Sequence, residues 1–138
     1  MAGRAAAERS ALQLAVSIAA IVPVGAGLLG VLTGQDFLSG ESDLSAAGDG
    51  HVRYLSGLLL AIGLGFWSAV PGIHRKGARF RILCALVIAG GLARLYGFIL
   101  NPKPETETLL PMAMELLVTP TLLLWRERVA GGARLFGR

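Results

Sequence analysis

Residues 82–100 read ILCALVIAGGLARLYGFIL, 19 positions in which Arg94 carries the only full charge. At a helical rise of 1.5 Å per residue such a run is about 28 Å long, close to the ~30 Å hydrocarbon thickness of a bilayer. It shows no period-2 alternation and is rich in Leu, Ala and Gly, and an open sheet in lipid would leave backbone groups unsatisfied. The stretch therefore reads as a transmembrane helix. Working outward, residues 11–32, 54–73 and 109–125 repeat the pattern with 22, 20 and 17 residues. Helices are expected near 10–33, 52–73, 80–100 and 108–126. The chain, 1–138, reads as one integral membrane domain, an all-α four-helix transmembrane bundle.

Composition agrees. Hydrophobic residues make up 54% of the 138 and charged residues 16%, with a mean hydropathy of +0.62. Soluble domains average roughly 45 to 50% apolar and about 25% charged. Disorder is excluded, and a soluble globule is disfavoured. The single cysteine, Cys84, cannot form an internal disulfide and reads as a small packing residue. The first apolar run follows Arg4 and Arg9, as a signal peptide would. Signal cores span about 7 to 15 residues and end in a small-residue cleavage site, whereas this run is longer and passes into Gly30, Thr33 and Gly34, so it reads as a retained helix.

Charge supplies an orientation. Arg4 and Arg9, the turn with Arg75, Lys76, Arg79 and Arg81, and the tail with Arg126, Arg128, Arg134 and Arg138 lie on one side. Arg53 and Lys103 lie on the other, among Asp36, Glu41, Asp43, Asp49, Glu105 and Glu107. Short loops rich in Lys and Arg stay in the cytoplasm, so both termini are expected there, in a multi-pass protein of a bacterial inner membrane. The basic segments also suit anionic lipid headgroups. The acidic loop at residues 33–50 reads as a solvated connector without secondary structure, with a lid over the outer mouth as the alternative.

Helices in lipid associate through close packing of small residues. Helix 2 carries Gly57, Ala61, Gly65 and Ala69 at steps of four; helix 3 carries Ala85, Ala89, Ala93 and Gly97, and helix 1 Ala26, Gly30 and Gly34. These stripes are the expected packing surfaces, between helices of the chain or toward another membrane subunit. Pro23, Pro111 and Pro120 are expected to bend helices 1 and 4.

Two charges fall inside the spans. Arg94 is seven residues before Asn101 and Glu115 eight after Glu107, depths of roughly 10 and 12 Å on adjacent antiparallel helices, so an ion pair is expected. Arginine suits it, because its planar fork takes a carboxylate bidentately. His51, Arg53 and Tyr54 begin helix 2 on the same side. With Arg94 and Glu115 they would line an outer-half polar cavity for an anionic or carbonyl-bearing ligand, such as a quinone head group or a lipid phosphate; Tyr96, two residues from Arg94, points to a different face, so only one of these two is expected at the cavity centre. The competing reading is structural: Arg94 and Glu115 as a clamp that sets helix register, with Arg53 and Tyr54 as interfacial anchors. No metal site is expected, since His51 and His74 lie on opposite sides. No Ser, His and acid grouping shares a face, and a nucleic-acid surface lacks interleaved aromatics.

Laid out in this way, the stretch from His51 to Arg128 resembles a family of small bacterial four-helix membrane proteins of unknown function. The resemblance is carried by HVRYLSG at residues 51–57, Pro71 and its basic turn, GGLARL at 90–95, and MELLVTP at 114–120 followed by Trp125. It implies four helices and an inner-membrane location, with no established chemistry. In helix number and size the chain is also similar to DoxX-like membrane proteins, some of which are quinone-reducing subunits; this implies an oxidoreductase role by analogy alone. The leading reading is a non-enzymatic integral membrane protein without a cofactor, either an accessory subunit of a larger membrane complex or a small-ligand binder. The alternative is a quinone-binding oxidoreductase subunit that uses Arg94 and Glu115. A transporter is disfavoured, since no broken-helix repeat supplies a pathway.

Overall fold

The computed structural model describes residues 2–36, 45–102 and 105–135. Among these residues there is no strand; the fold is all-α, and four helices are long and apolar enough to cross a membrane. The first span combines α1 (Ala2–Ala19) and α2 (Ile21–Thr33). The second is α3 (Ala46–Ala69) and the third α4 (Gly77–Leu100). The fourth runs through α5 (Thr106–Ala113), a π-helical segment at Met114–Val118, and α6 (Thr119–Leu135). Large apolar side chains such as Leu14, Leu32, Ile82, Leu117 and Leu124 are exposed along all these helices, as lipid-facing residues would be.

Two expectations about the element ends are corrected. The second helix begins at Ala46 rather than near residue 52, so Ala46–Gly50 belongs to a helix and not to an unstructured loop. Ser45 caps it, its Oγ accepting from the Gly48 N–H at 3.3 Å, and Asp49 sits in the first turn, where a negative charge complements the helix dipole. Residues 37–44 of the expected lid lie outside the described residues. At its far end the same helix stops at Ala69; Val70 keeps helical angles and still donates to Phe66 O, but Pro71 has no N–H to offer the Trp67 carbonyl, so the ladder ends there. Gly72, with φ of +78°, then turns the chain, and its carbonyl accepts from Arg75 and Lys76.

The bend expected from Pro23 is present as a one-residue break. Proline has no N–H to offer the carbonyl of Ala19, and its ring crowds that carbonyl, so the helix interrupts at Ala20. The bonds Ala20 N–H to Val16 O and Val24 N–H to Ala20 O bridge the break at 3.0 and 3.2 Å.

The chain divides into two compact units, Val16–Val70 and the pair of segments Met1–Ala15 and Pro71–Arg138. The first unit is an antiparallel helical hairpin. Along α3, Arg53 reaches Val31 and Leu32, Ser56 and Leu60 meet Gly27, Gly63 meets Pro23 and Val24, and Trp67 donates to the Ser17 carbonyl at 3.1 Å. Steps of three and four residues mark one helical face. The helices touch where they lack side chains: a Cβ on Gly27 would lie 2.8 Å from the Leu60 Cα, and one on Gly63 would lie 2.9 Å from the Val24 nitrogen. Thus the tight backbone contacts fall on Gly27 and Gly63, beside the stripe expected on the second span, in which Gly57 makes ordinary contact, Ala61 is exposed and Ala69 is buried; on the first span Gly30 and Gly34 of the expected stripe are buried.

In the second unit the buried side chains include Leu12, Ile73, Phe80, Cys84, Val129 and Ala130. On α4 the buried positions are Gly77, Phe80, Cys84 and Gly91, a seam with coiled-coil spacing. The stripe expected on this helix, Ala89, Ala93 and Gly97, is exposed instead.

Replacing Gly27 with Ala should lower stability by about 1 to 3 kcal/mol through overpacking. By contrast Gly25→Ala, whose Cβ meets nothing within 4 Å, should leave stability unchanged or raise it by up to ~1 kcal/mol. Thermal unfolding of the two variants in one detergent checks the order; equal effects would place the contact elsewhere.

Candidate functional site

Arg94 and Glu115 meet as expected. Arg94 Nε donates to Glu115 Oε2 at 3.0 Å and Nη2 to Oε1 at 3.2 Å, a bidentate pair between the third and fourth spans. The Arg94 side chain is 41% exposed and that of Glu115 18%. Gly91, one turn before Arg94, makes the approach possible, since a Cβ there would lie 2.8 Å from both the Glu115 Cβ and the Leu116 Cδ2.

Glu115 stands in the π-helical segment, a feature that sequence reasoning reduced to a bend. Pro120 cannot donate to the Leu116 carbonyl, and the ladder adapts by widening: the Thr119 N–H reaches back five residues to Met114 O. Hydroxyls supply further bonds, Thr119 Oγ1 to Met114 O at 3.1 Å and Thr121 Oγ1 to Leu117 O at 2.7 Å. In lipid these replace the water that would otherwise satisfy a broken helix. The signal lay in the sequence as Pro120 flanked by two threonines.

Next to the pair is a groove of about 370 Å³ lined by Leu95, Leu109, Met112, Ala113, Leu116 and Leu117. Leu95 and Leu116 are the chain neighbours of Arg94 and Glu115, so an apolar recess and an ion pair lie side by side. Its lining is apolar throughout.

Of the other expected site residues, His51, Arg53 and Tyr54 belong to the Val16–Val70 unit and Tyr96 to the second. His51 and Tyr54 are exposed at the start of α3. Arg53 is occupied: Nε donates to Asp49 Oδ2 at 2.7 Å, and Nη1 to the carbonyls of Val31 and Leu32 at 2.6 and 3.1 Å. It neutralises the carbonyl end of α2, while Asp49 Oδ1 accepts from the Gln35 N–H. Tyr96 is 65% exposed.

Arg126, read from sequence as a topology charge in the tail, is instead buried at 2% exposure. Its Nε donates to Ile73 O at 3.1 Å, Nη2 to His74 O at 2.9 Å and Nη1 to Glu127 Oε1 at 3.0 Å. Glu127 also takes Arg81 bidentately, at 2.9 and 3.1 Å. Arg126 thus ties the turn after the second span to the end of the fourth. The clue was an arginine next to the apolar run, followed by a glutamate. Among the described residues no group of three His, Cys, Asp or Glu is placed to hold a metal ion.

Residues 11–126 match a protein family described as a domain of unknown function, DUF4345. The chain belongs to this family. The matched region includes the second and third spans whole, most of the first and fourth, the Arg53 clamp, the Arg94–Glu115 pair and Arg126. No curated protein and no solved structure matches the chain.

Single reversals, Arg94→Glu or Glu115→Arg, should each destabilise the fourth span against the third. The double reversal should restore a large part of the loss, giving a coupling energy of about 0.5 to 3 kcal/mol in a double-mutant cycle. Additive losses would show that the pair makes no energetic contact. Arg126→Met should cost about 3 kcal/mol or more, because it leaves the Ile73 and His74 carbonyls unmet; unfolding in detergent reads this directly.

Proposed function

We propose that the protein is a non-enzymatic multi-pass membrane protein that binds a neutral, carbonyl-bearing amphiphile at Arg94, with the apolar part of the ligand in the adjoining groove. The observation that carries this reading is the apolar groove bordering a partly exposed guanidinium. Arg94 uses Nε and Nη2 on Glu115, and Nη1 makes no hydrogen bond among the described residues. Charge argues for a neutral ligand. Asp49 balances Arg53 and Glu115 balances Arg94, so the excess of cations inferred from the sequence does not survive as a field for an anion. A groove of about 370 Å³ falls within the usual range of roughly 300 to 1,000 Å³ for small-molecule sites. Both oxygens of Glu115 accept from Arg94, which leaves it without the freedom of a general base and favours binding over catalysis. The basic turn after the second span and the C-terminal arginines favour a bacterial inner membrane with both termini in the cytoplasm.

A second reading has a specific observation behind it. A quinone is itself a neutral carbonyl amphiphile, and the same groove would take its isoprenoid tail; the protein would then be an oxidoreductase subunit with Glu115 moving a proton. The exposed face of Ala85, Ala89, Ala93 and Gly97 would suit an accessory subunit, since it leaves a flat helix surface for another membrane chain.

The test is binding of a decyl-chain ubiquinone analogue to the purified protein. Arg94→Gln combined with Glu115→Gln, which removes both charges together, should weaken it about tenfold or more. Leu116→Trp, which fills the groove, should do the same. Equal affinity in wild type and both variants would remove the proposal. Glu115→Gln alone separates the two readings: retained binding fits a binder, and loss of quinone reduction in an assembled membrane complex fits the oxidoreductase.

A further inference from the structure

A second polar cluster lies at the other end of the third and fourth spans, within the same compact unit and independent of the Arg94 site. Arg126 draws in the carbonyls of Ile73 and His74 and so fixes the turn on which His74 stands. The His74 Nδ1 and the Arg9 Nε are both buried, and neither has a hydrogen-bond partner among the described residues. The charges acting on His74 are all cationic, Arg9, Arg75 and Arg126; burial first, and then these three, hold its pKa below the ordinary histidine range. Neutral His74 can carry its proton on Nδ1, so the cluster offers two buried donors. The nearby carboxylate of Glu127 is already shared by Arg81 and Arg126. A buried donor without an acceptor costs about 1 to 3 kcal/mol, and an oxyanion is the acceptor that these donors lack.

We propose that Arg9 and His74, flanked by Arg75, bind the phosphate of an anionic phospholipid. A lipid is favoured over free phosphate by position. Arg9 lies two residues before the first apolar run, and Arg75 lies between the ends of two spans, which puts the cluster at headgroup depth. Exposed Leu14 on α1 and Ile82 and Leu86 on α4 continue from it as apolar helix surface for acyl chains.

Native mass spectrometry of the full chain tests this after exposure to phosphatidylglycerol or to phosphatidylcholine. One phosphatidylglycerol should remain bound, and phosphatidylcholine should not. Arg9→Gln should reduce the retained fraction about tenfold or more, because it removes a charge-assisted donor. The exposed Arg128→Gln makes the same change in charge and should reduce retention about fivefold or less. Arg9→Lys, which keeps the charge without the guanidinium fork, should resemble Arg9→Gln. Should Arg9→Gln fail to fold in detergent, the exposed Arg75→Gln makes the same comparison with Arg128→Gln. Equal losses at the two compared positions would reduce the effect to a diffuse field and overturn the site. Equal retention of the two lipids, or displacement by millimolar inorganic phosphate, would overturn it as well.

Discussion

A guanidinium in or beside a lipid-facing helix has to be given acceptors by the protein, and this constraint organises both helical units. Arg53 spends its donors on Asp49 and on the end carbonyls of α2. Arg94 spends two on Glu115, and Arg126 takes two carbonyls of the turn at Ile73 and His74. Apart from the bond to Asp49, which lies within α3, each joins segments far apart in sequence and so fixes how one helix is set along its neighbour. Dispersion between apolar side chains cannot do this, because sliding a leucine face by one turn changes little. The arginines determine which turn faces which, and Gly27, Gly63 and Gly91 then let the backbones close at that setting.

The positions of the four spans and the Arg94–Glu115 contact were legible in the sequence for one physical reason. Both follow from the cost of polar groups in hydrocarbon, which depends on residue type and on depth and hardly on the detail of packing. What was not legible depended on angle around the helix. On the first span Gly30 and Gly34 of the expected stripe are buried, but on the third the stripe at steps of four ran beside the true seam, since a real helix pairing mixes steps of three and four: Gly77, Phe80, Cys84 and Gly91 are buried while Ala89, Ala93 and Gly97 are exposed. Arg126 was misread because a basic residue at the end of an apolar run ordinarily reports topology, and only the three-dimensional turn shows that two carbonyls wait for it. The grouping of Arg53 with Arg94 rested on depth alone; Asp49, one helical turn away, was the nearer partner.

The balance of charge also changes the chemistry open to the site. Counting residues from the sequence, Arg53, Arg94 and Glu115 hold more cations than anions and would invite an anion. Counted as pairs, Arg53 with Asp49 and Arg94 with Glu115, each is neutral, and what remains at Arg94 is hydrogen-bond donation beside an apolar recess. The surplus of positive charge is found at the opposite end of the second unit instead, around His74. One unit therefore has two ends of different character: one neutral and amphiphilic, the other cationic and short of acceptors.

The widened turn at Met114–Val118 has an evolutionary reading. A π-helical turn is an α-helix that has taken up one additional residue, and each residue turns the helix by about 100°. Deleting a single position there would swing everything upstream of it, Glu115 included, by that angle relative to Arg126. The two ends of the fourth span are therefore angularly uncoupled by one residue. An insertion at this point can install or retire the Arg94 partnership in a single step, without disturbing the Arg126 anchor.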